Sequence, residues 1–206
     1  MGGNRIEFFY DLSSPWTYIA FHNLAGVMER TGASVRLRPI LVGGVFNSVN
    51  PSVYAAREAA DNPKFKHSWR VMKDWAALAG IEINFPSAFH PAKSINAMRM
   101  ACTLQGDQQA LTKFTRAAFE SYFDAQENLD DADVLVAVAN SVGLDGEAMR
   151  AESQTDAIKA RLRANTDEVI ARGGYGSPTI FVDTTKMYFG NDQLPLVEFA
   201  LNRSPT

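Results

Sequence analysis

The sequence predicts an α/β fold in which a small sheet domain is interrupted by a large all-helical insertion. Two short apolar strands flank an amphipathic helix near the start of the chain, and a strand hairpin followed by a helix closes it. Between them, residues of about 50 to 150 repeat apolar side chains at helical spacing. At 206 residues the chain is long enough for one substantial core, or for a small domain that carries an insertion.

The chain begins with a predicted β-α-β unit. Arg5 to Asp11 is an apolar and aromatic run ended by a turn signal, which is typical of a buried strand. Apolar residues then recur at helical spacing from Pro15, and Gly32 gives a C-terminal stop signal. The segment ASVRLRPIL alternates apolar and polar residues until Pro39 disturbs it, which predicts the second strand.

The middle of the chain predicts helices alone. Pro51 and Pro63 are helix-start signals, Gly80 is a stop signal, and three further segments repeat the 3.6-residue period. Another helix runs from about Gln154 to a glycine pair at residues 173 and 174.

The end of the chain predicts a hairpin and a final helix. PTIFVD and KMYFG, separated by two threonines, are typical of two short strands, and Asn191 or Asp192 is the expected cap of the helix that follows. The order β-α-β, helical insertion, α, β-β-α is that of a thioredoxin-like fold. We expect residues 1–45 and 154–206 to form the thioredoxin-like domain, and residues 46–153 to form the helical insertion domain.

Composition and charge favour a small molecule as partner. A net charge of −3 without a basic run argues against nucleic acid. The sequence has no apolar stretch long enough for a membrane span or a signal peptide, so we expect a cytoplasmic protein without a membrane partner. The single cysteine, Cys102, excludes an internal disulfide and, with three scattered histidines, a Cys-rich zinc site, so no metal is expected.

Ser14 precedes the first predicted helix and has two interpretations that use the same geometry. Ser-Pro is a common helix start, with the serine accepting a backbone N–H and Pro15 in the first helical position. The first turn of a helix also favours an anion. A hydroxyl there can donate a hydrogen bond to a thiolate that a ligand brings, and the pKa of that thiol is thereby lowered. The stretch alone favours the capping interpretation.

Two stretches near the C-terminus offer a similar choice. Pro178 opens a strand, and a cis Ser177–Pro178 bond would leave the Ser177 backbone able to pair with a peptide-like ligand. Asn191 or Asp192 can cap the last helix, but Asp192 can also hold an ammonium while nearby N–H groups hold a carboxylate. Taken separately, each stretch favours its structural interpretation.

Other candidate groups carry little signal. The histidines, His22, His67 and His90, do not combine with a G-x-S-x-G elbow, so a serine hydrolase is disfavoured. Cys102 lies in an apolar helical segment and is more typical of a packed core residue than of a nucleophile.

Together, FFYDLSSPWTYIAF, GSPTIFVD and FGND resemble the kappa-class glutathione transferase and 2-hydroxychromene-2-carboxylate isomerase family, a DsbA-like branch of the thioredoxin superfamily. RPILVGGVFN, NPKF, DWAALAGI and NFPSAFHP resemble the insertion of that family, so the resemblance spans essentially the whole chain. It implies glutathione as cofactor, a second substrate that is aromatic or electrophilic, and a homodimer.

The resemblance also implies residue roles. A serine replaces the first cysteine of a C-x-x-C pair in this family, and SPWT places that serine at Ser14, which would stabilise the glutathione thiolate. Ser177 and a cis Pro178 would hold the cysteinyl part, and the γ-glutamyl end would meet Asn191 and Asp192. The full set of implied glutathione contacts is Ser14, Asn50, Lys64, Ser177, Pro178, Gly190, Asn191 and Asp192.

The sequence departs from the family at the second substrate. The family's isomerases hold an acidic aromatic substrate with a lysine and a tyrosine, and the nearest matches here are Phe46 and Phe89. We expect an apolar pocket lined by Phe46, Trp16 and Phe89, with Arg57 or Arg70 as candidates for the missing charge.

The resemblance implies a glutathione-dependent isomerase of the 2-hydroxychromene-2-carboxylate type, active in aromatic compound catabolism. The alternatives are a kappa-class transferase that conjugates glutathione to electrophiles, and a redox-inactive thioredoxin-fold module that binds peptides. Ser14 and Thr17 stand where a disulfide oxidoreductase needs two cysteines, which excludes that activity.

Overall fold

A four-stranded mixed sheet carries the thioredoxin-like unit. The computed structural model describes residues 5–53 and 62–203. The strands are β1 (Arg5–Tyr10), β2 (Ser34–Pro39), β3 (Thr179–Val182) and β4 (Lys186–Phe189). Their order is β2-β1-β3-β4, with β1 parallel to β2 and β3 antiparallel to both β1 and β4. The fold class predicted from the sequence is therefore confirmed.

Helices account for most of the remaining described chain. They are α1 (Pro15–Thr31), α2 (Val42–Val49), α3 (Pro63–Ala79), α4 (Ile95–Thr103), α5 (Gln108–Phe123), α6 (Ala132–Ser141), α7 (Gly146–Ser153), α8 (Asp156–Ala171) and α9 (Leu194–Arg203). Most of the helix expected after Pro51 falls on residues 54–61, outside the described residues. Within the described ranges, none of these helices has the length and apolar character needed to cross a membrane.

One face of the sheet forms a core together with the helical insertion. Side chains alternate between the two faces of a strand, so Tyr10 points with its neighbours two and four residues earlier into this core. The Tyr10 hydroxyl lies 2.6 Å from Thr115 Oγ1 on α5. On α1, the ring of Tyr18 stacks on Phe119 and Phe123, with centroids 5.2 and 5.5 Å away. The sheet and the insertion thus share one continuous core.

The opposite face of the sheet holds a buried ion-pair network against α8. Arg38 is 7% exposed and pairs with Glu7 (3.3 Å) and with Glu168. Arg172 pairs with Glu7 (2.8 Å) and Glu168 (2.9 Å), and its guanidinium lies 3.7 Å from the ring centre of Phe181. Burial acts to raise the pKa of Glu168, but the two arginines outweigh it, so that pKa is lowered.

α2 is a helix that the sequence interpretation missed. The second strand ends at Pro39, where the alternation is disturbed, and a helix that the sequence did not predict begins two residues after Ile40. Val42 and Val45 are buried at helical spacing, although two glycines separate them. The predicted domain boundary between residues 45 and 46 would fall inside this helix, whereas the boundary between 153 and 154 falls between α7 and α8.

The start of the last helix differs from the prediction. Neither Asn191 nor Asp192 caps α9 with its side chain. A single 3₁₀ turn, Asn191–Gln193, precedes the helix instead, and Gly190 stands at the cap of that turn with φ 93° and no side-chain hydrogen bond. The reason is that the Asn191 side chain turns toward α1, where its Oδ1 accepts a hydrogen bond from Asn23 Nδ2 at 2.9 Å.

Candidate active site at the start of the first helix

Ser14 caps α1 and also contacts the loop before β3. Its backbone is extended (φ −98°, ψ 117°), and its Oγ accepts the backbone N–H of Thr17 at 3.2 Å. The same hydroxyl donates a hydrogen bond to the backbone carbonyl of Ser177 at 3.3 Å. The capping interpretation is therefore confirmed. The Ser14 hydroxyl therefore bridges the start of α1 and the loop before β3.

Ser177 fixes the loop that faces Ser14. Its Oγ accepts the backbone N–H of Asp11 at 2.9 Å and lies 2.7 Å from Thr17 Oγ1. The Ser177–Pro178 bond is cis. The Pro178 carbonyl accepts the N–H of Gly190 at 3.2 Å, which places the start of the FGND stretch beside this loop. Three stretches far apart in sequence thus meet through direct hydrogen bonds.

Asp11 is a buried carboxylate at the base of this site, and the sequence interpretation gave it no role. It is 0% exposed, and Oδ1 accepts hydrogen bonds from Ser13 N (2.9 Å) and Ser13 Oγ (2.8 Å). Oδ2 accepts from the N–H of Val42 (2.8 Å), in the first turn of α2, and from Ser94 Oγ (3.1 Å), just before α4. Burial raises the pKa of Asp11, and these hydrogen bonds act against that rise. An aspartate after an apolar run predicts the end of a strand. In the structure, this aspartate also joins the end of β1 to α2 and to the residue before α4.

A cleft of about 160 Å³ opens beside Ser14. Trp16, Trp69 and Phe85 contribute aromatic walls, and His90 contributes an imidazole. The rings of Trp69 and Phe85 lie 5.1 Å apart between centres. Trp16, which the sequence places in the expected substrate pocket, lines this cleft. The sequence interpretation had set His90 aside, because a lone histidine in an insertion carries no recognisable motif.

A second cleft of about 200 Å³ adjoins the first. Phe46 and Lys93 line it, and it shares Ser13 and His90 with the cleft beside Ser14. Phe89 is 43% exposed and does not belong to the described lining of either cleft. The following residue, His90, lines both clefts.

Asn191 is buried, and the two polar atoms of its side-chain amide differ in their hydrogen bonding. It is 1% exposed, and its Nδ2 has no hydrogen-bond partner among the described residues. It lines a groove of about 650 Å³ along α1, together with Asn23, Trp75 and Arg116. Asp192, the next residue, is exposed. A buried amide donor without a partner is unusual, so it is a candidate contact for a ligand.

The remaining predicted contacts differ in what the structure describes of them. Asn50 ends α2, and its Nδ2 donates a hydrogen bond to the backbone carbonyl of Tyr175 at 3.2 Å. Lys64 lies in the first turn of α3, but its side chain is outside the described residues, as is all of Arg57. Arg70 is exposed and pairs with an aspartate one turn later at 2.6 Å.

Cys102 is a core residue. It is 0% exposed, and burial raises the pKa of its thiol to about 12. Any thiolate that reacts at Ser14 must therefore come from a ligand. The helix start is suited to that, because the N-terminal end of the 17-residue helix α1 is positive and the Ser14 hydroxyl can donate to an anion.

Comparison with known proteins gives a consistent relationship over almost the whole chain. The family model described as DSBA-like thioredoxin domain matches residues 5–202. The 2-hydroxychromene-2-carboxylate isomerase of Sphingobium xenophagum is 27% identical, over 94% of this chain and 95% of its own. Glutathione S-transferase kappa 1 of Rattus norvegicus is 22% identical, over 95% of this chain and 90% of its own. A solved structure of a 2-hydroxychromene-2-carboxylate isomerase superposes with a TM-score of 0.81 at 23% identity, covering 97% of this chain and 95% of that one.

Proposed function

The chain belongs to the family of DSBA-like thioredoxin domains, and on that premise we propose that it is a glutathione-dependent enzyme in which Ser14 stabilises the glutathione thiolate. One observation carries the proposal. The Ser14 hydroxyl stands at the positive end of α1, beside an aromatic cleft, where a redox enzyme would carry its own cysteine. The relatives named as isomerase and as glutathione transferase support an enzyme of this kind.

The proposed binding frame runs along the loop before β3 and the turn before α9. Ser177 and Pro178 would pair with the cysteinyl part of glutathione, because they are adjacent to the Ser14 hydroxyl. The unpartnered Nδ2 of Asn191 supports a ligand contact for the γ-glutamyl end, next to the exposed Asp192. Gly190, Asn50 and Lys64 complete the proposed set.

The reaction that we favour is an isomerisation of the 2-hydroxychromene-2-carboxylate type. The glutathione thiolate would add to a conjugated carbon of the aromatic substrate. Ring opening and rotation about the bond that lost its double character would follow, and the thiolate would then be expelled. Glutathione is regenerated, so it acts as a nucleophile that the protein borrows. Trp16 and Phe46 would provide apolar contacts for the substrate.

A transferase of the kappa type remains the second candidate. It would use the same Ser14 site but consume glutathione, and the apolar Phe46 in the second cleft would suit an electrophile without a carboxylate. A role in aromatic compound catabolism, a cytoplasmic location and a homodimer remain predictions.

The decisive experiment is a titration of glutathione, followed by ultraviolet difference absorbance of the thiolate. Loss of a hydrogen bond to a charged group is worth about 1.5–3 kcal/mol, so Ser14→Ala should raise the pKa of the bound thiol by about one to two units. Ser13→Ala is the matched control, because the Ser13 hydroxyl donates to Asp11 instead. If glutathione does not bind, or if the bound thiol has the same pKa in the wild type and in Ser14→Ala, the proposal fails.

Turnover separates the two candidate reactions. The isomerase candidate requires conversion of a chromene carboxylate with no net loss of glutathione. The transferase candidate requires stoichiometric consumption of glutathione with 1-chloro-2,4-dinitrobenzene.

A further inference from the structure

We propose that His90 exchanges a proton with the second substrate, and that it thereby makes the site selective for electrophiles conjugated to a carbonyl group. The inference rests on the proposed function, since it assumes a glutathione thiolate at Ser14. It goes beyond that function by assigning the proton transfer that the addition of a thiolate requires.

The position of His90 is the first argument. Its side chain lines both the cleft beside Ser14 and the adjoining cleft that Phe46 lines. Among the described residues that line the cleft beside Ser14, it is the one that carries an imidazole, the side chain that most often acts as general acid and base in enzymes. A substrate that bridges the two clefts while it reacts at the thiolate therefore passes the imidazole.

The surroundings of the imidazole hold it in place. The ring of Phe85 meets it edge to face, with centroids 4.5 Å apart. The Tyr122 hydroxyl lies 3.5 Å from Nδ1, and Tyr122 is fully buried. Burial raises the pKa of Tyr122, so the hydroxyl keeps its proton and can direct it toward Nδ1. These contacts fix the ring where the two clefts meet.

The chemistry needs such a group. When a thiolate adds to the β-carbon of an unsaturated carbonyl compound, a C–S bond forms and the electron pair of the C=C bond moves to make an enolate. The imidazolium of His90 would give its proton to that enolate and become neutral. In the reverse direction, neutral His90 would take the proton back as the C–S bond breaks. No oxidant or reductant is involved.

Aromatic substitution has a different proton balance. With 1-chloro-2,4-dinitrobenzene, the C–S bond forms and the C–Cl bond breaks, and chloride leaves with the electron pair. No proton is transferred to the substrate. A proton-transfer role for His90 therefore affects addition much more than substitution, whereas a purely structural role affects both alike.

The test compares His90→Gln with the wild type at saturating glutathione, using trans-4-phenylbut-3-en-2-one for addition and 1-chloro-2,4-dinitrobenzene for substitution. General acid–base catalysis contributes about 10²- to 10⁴-fold. We expect the ratio of kcat/KM for addition to that for substitution to fall at least about tenfold. His67→Gln is the matched control, because His67 is exposed on α3 and belongs to the described lining of neither cleft, and its ratio should not change.

The outcomes are distinct. An unchanged ratio in His90→Gln, whether both activities survive or both fall together, overturns the assignment of His90 and leaves the proposed function standing. Remaining turnover of chlorodinitrobenzene reports that the variant is folded with its glutathione site intact. If the wild type turns over neither compound with glutathione, the proposed function fails, and the assignment of His90 fails with it.

Discussion

The buried carboxylate of Asp11 allows a sharp test of how the site is held together. Each of its oxygens accepts two hydrogen bonds, and one bond on each side comes from a backbone N–H, that of Ser13 or that of Val42. In Asp11→Asn one oxygen becomes an NH₂ group. Whichever way the amide turns, that donor faces a backbone N–H, which cannot accept a hydrogen bond.

The expected cost follows from this geometry. At least one hydrogen bond to a charged acceptor is lost, at about 1.5–3 kcal/mol, and a buried N–H is left without a partner, at about 1–3 kcal/mol. Removing a buried charge offsets part of that cost. We therefore expect Asp11→Asn to lower the free energy of unfolding by about 3 kcal/mol.

Urea denaturation gives the free energy of unfolding by linear extrapolation. The matched control is Asp107→Asn. Asp107 caps α5 and also accepts two backbone N–H groups, both at 3.0 Å, but it is exposed and uses one oxygen. Asparagine caps helices about as well as aspartate, so the control should lose less than about 0.5 kcal/mol. A loss of unfolding free energy in Asp11→Asn that is below about 1 kcal/mol, or no larger than that of the control, would refute the conclusion that the Asp11 carboxylate holds these elements together.

Three further predictions concern two glycines and the ion-pair network. Gly174→Ala should lower the free energy of unfolding by about 1–3 kcal/mol, because the new β-carbon would lie 2.5 Å from a neighbouring methyl group. Gly43→Ala should raise the free energy of unfolding by about 0.5–1 kcal/mol in the same urea experiment. Gly43 lies in α2, and its new β-carbon would have no neighbouring atom of the described residues within 4 Å. The pKa of Glu168 is lowered in the folded state, so its contribution to stability is present above the ordinary glutamate pKa of about 4.3 and is lost as the pH falls through the folded pKa. Thermal unfolding between about pH 5 and 3 should therefore show a shallower decline in Glu168→Gln than in the wild type, and equal slopes would contradict the role of this pair.

The sequence predicted the elements whose signals are local. β1, α1 and the closing hairpin follow from apolar runs, a Ser-Pro start and a Gly32 stop, all of which act within a few residues. α2 escaped because Gly43 and Gly44 are poor helix formers and its first N–H is satisfied by Asp11, which is distant in sequence. Tertiary contact outweighed the local propensity there.

The residues of the site also divide into those that a local pattern predicts and those that only tertiary contacts define. Ser14 could be singled out from its own stretch, and its neighbours Ser177 and Pro178 from theirs. Nothing local indicates that Asp11 binds Val42 and Ser94, because those contacts join the end of a strand to two separate helices. His90 was missed for the same reason, because its position in the lining of both clefts depends on tertiary contacts and has no local sequence signal.

The inaccessible Cys102 has a consequence for an enzyme that handles electrophiles. Such a protein is exposed continually to compounds that alkylate thiols, and a reactive cysteine of its own would be modified irreversibly. The single cysteine of this chain is buried, and burial raises its pKa to about 12, so on the proposed function an electrophile would meet no thiolate that belongs to the protein. The thiolate that can be alkylated would be that of glutathione, which leaves the site after each turnover. The enzyme would therefore resist inactivation by its own substrates.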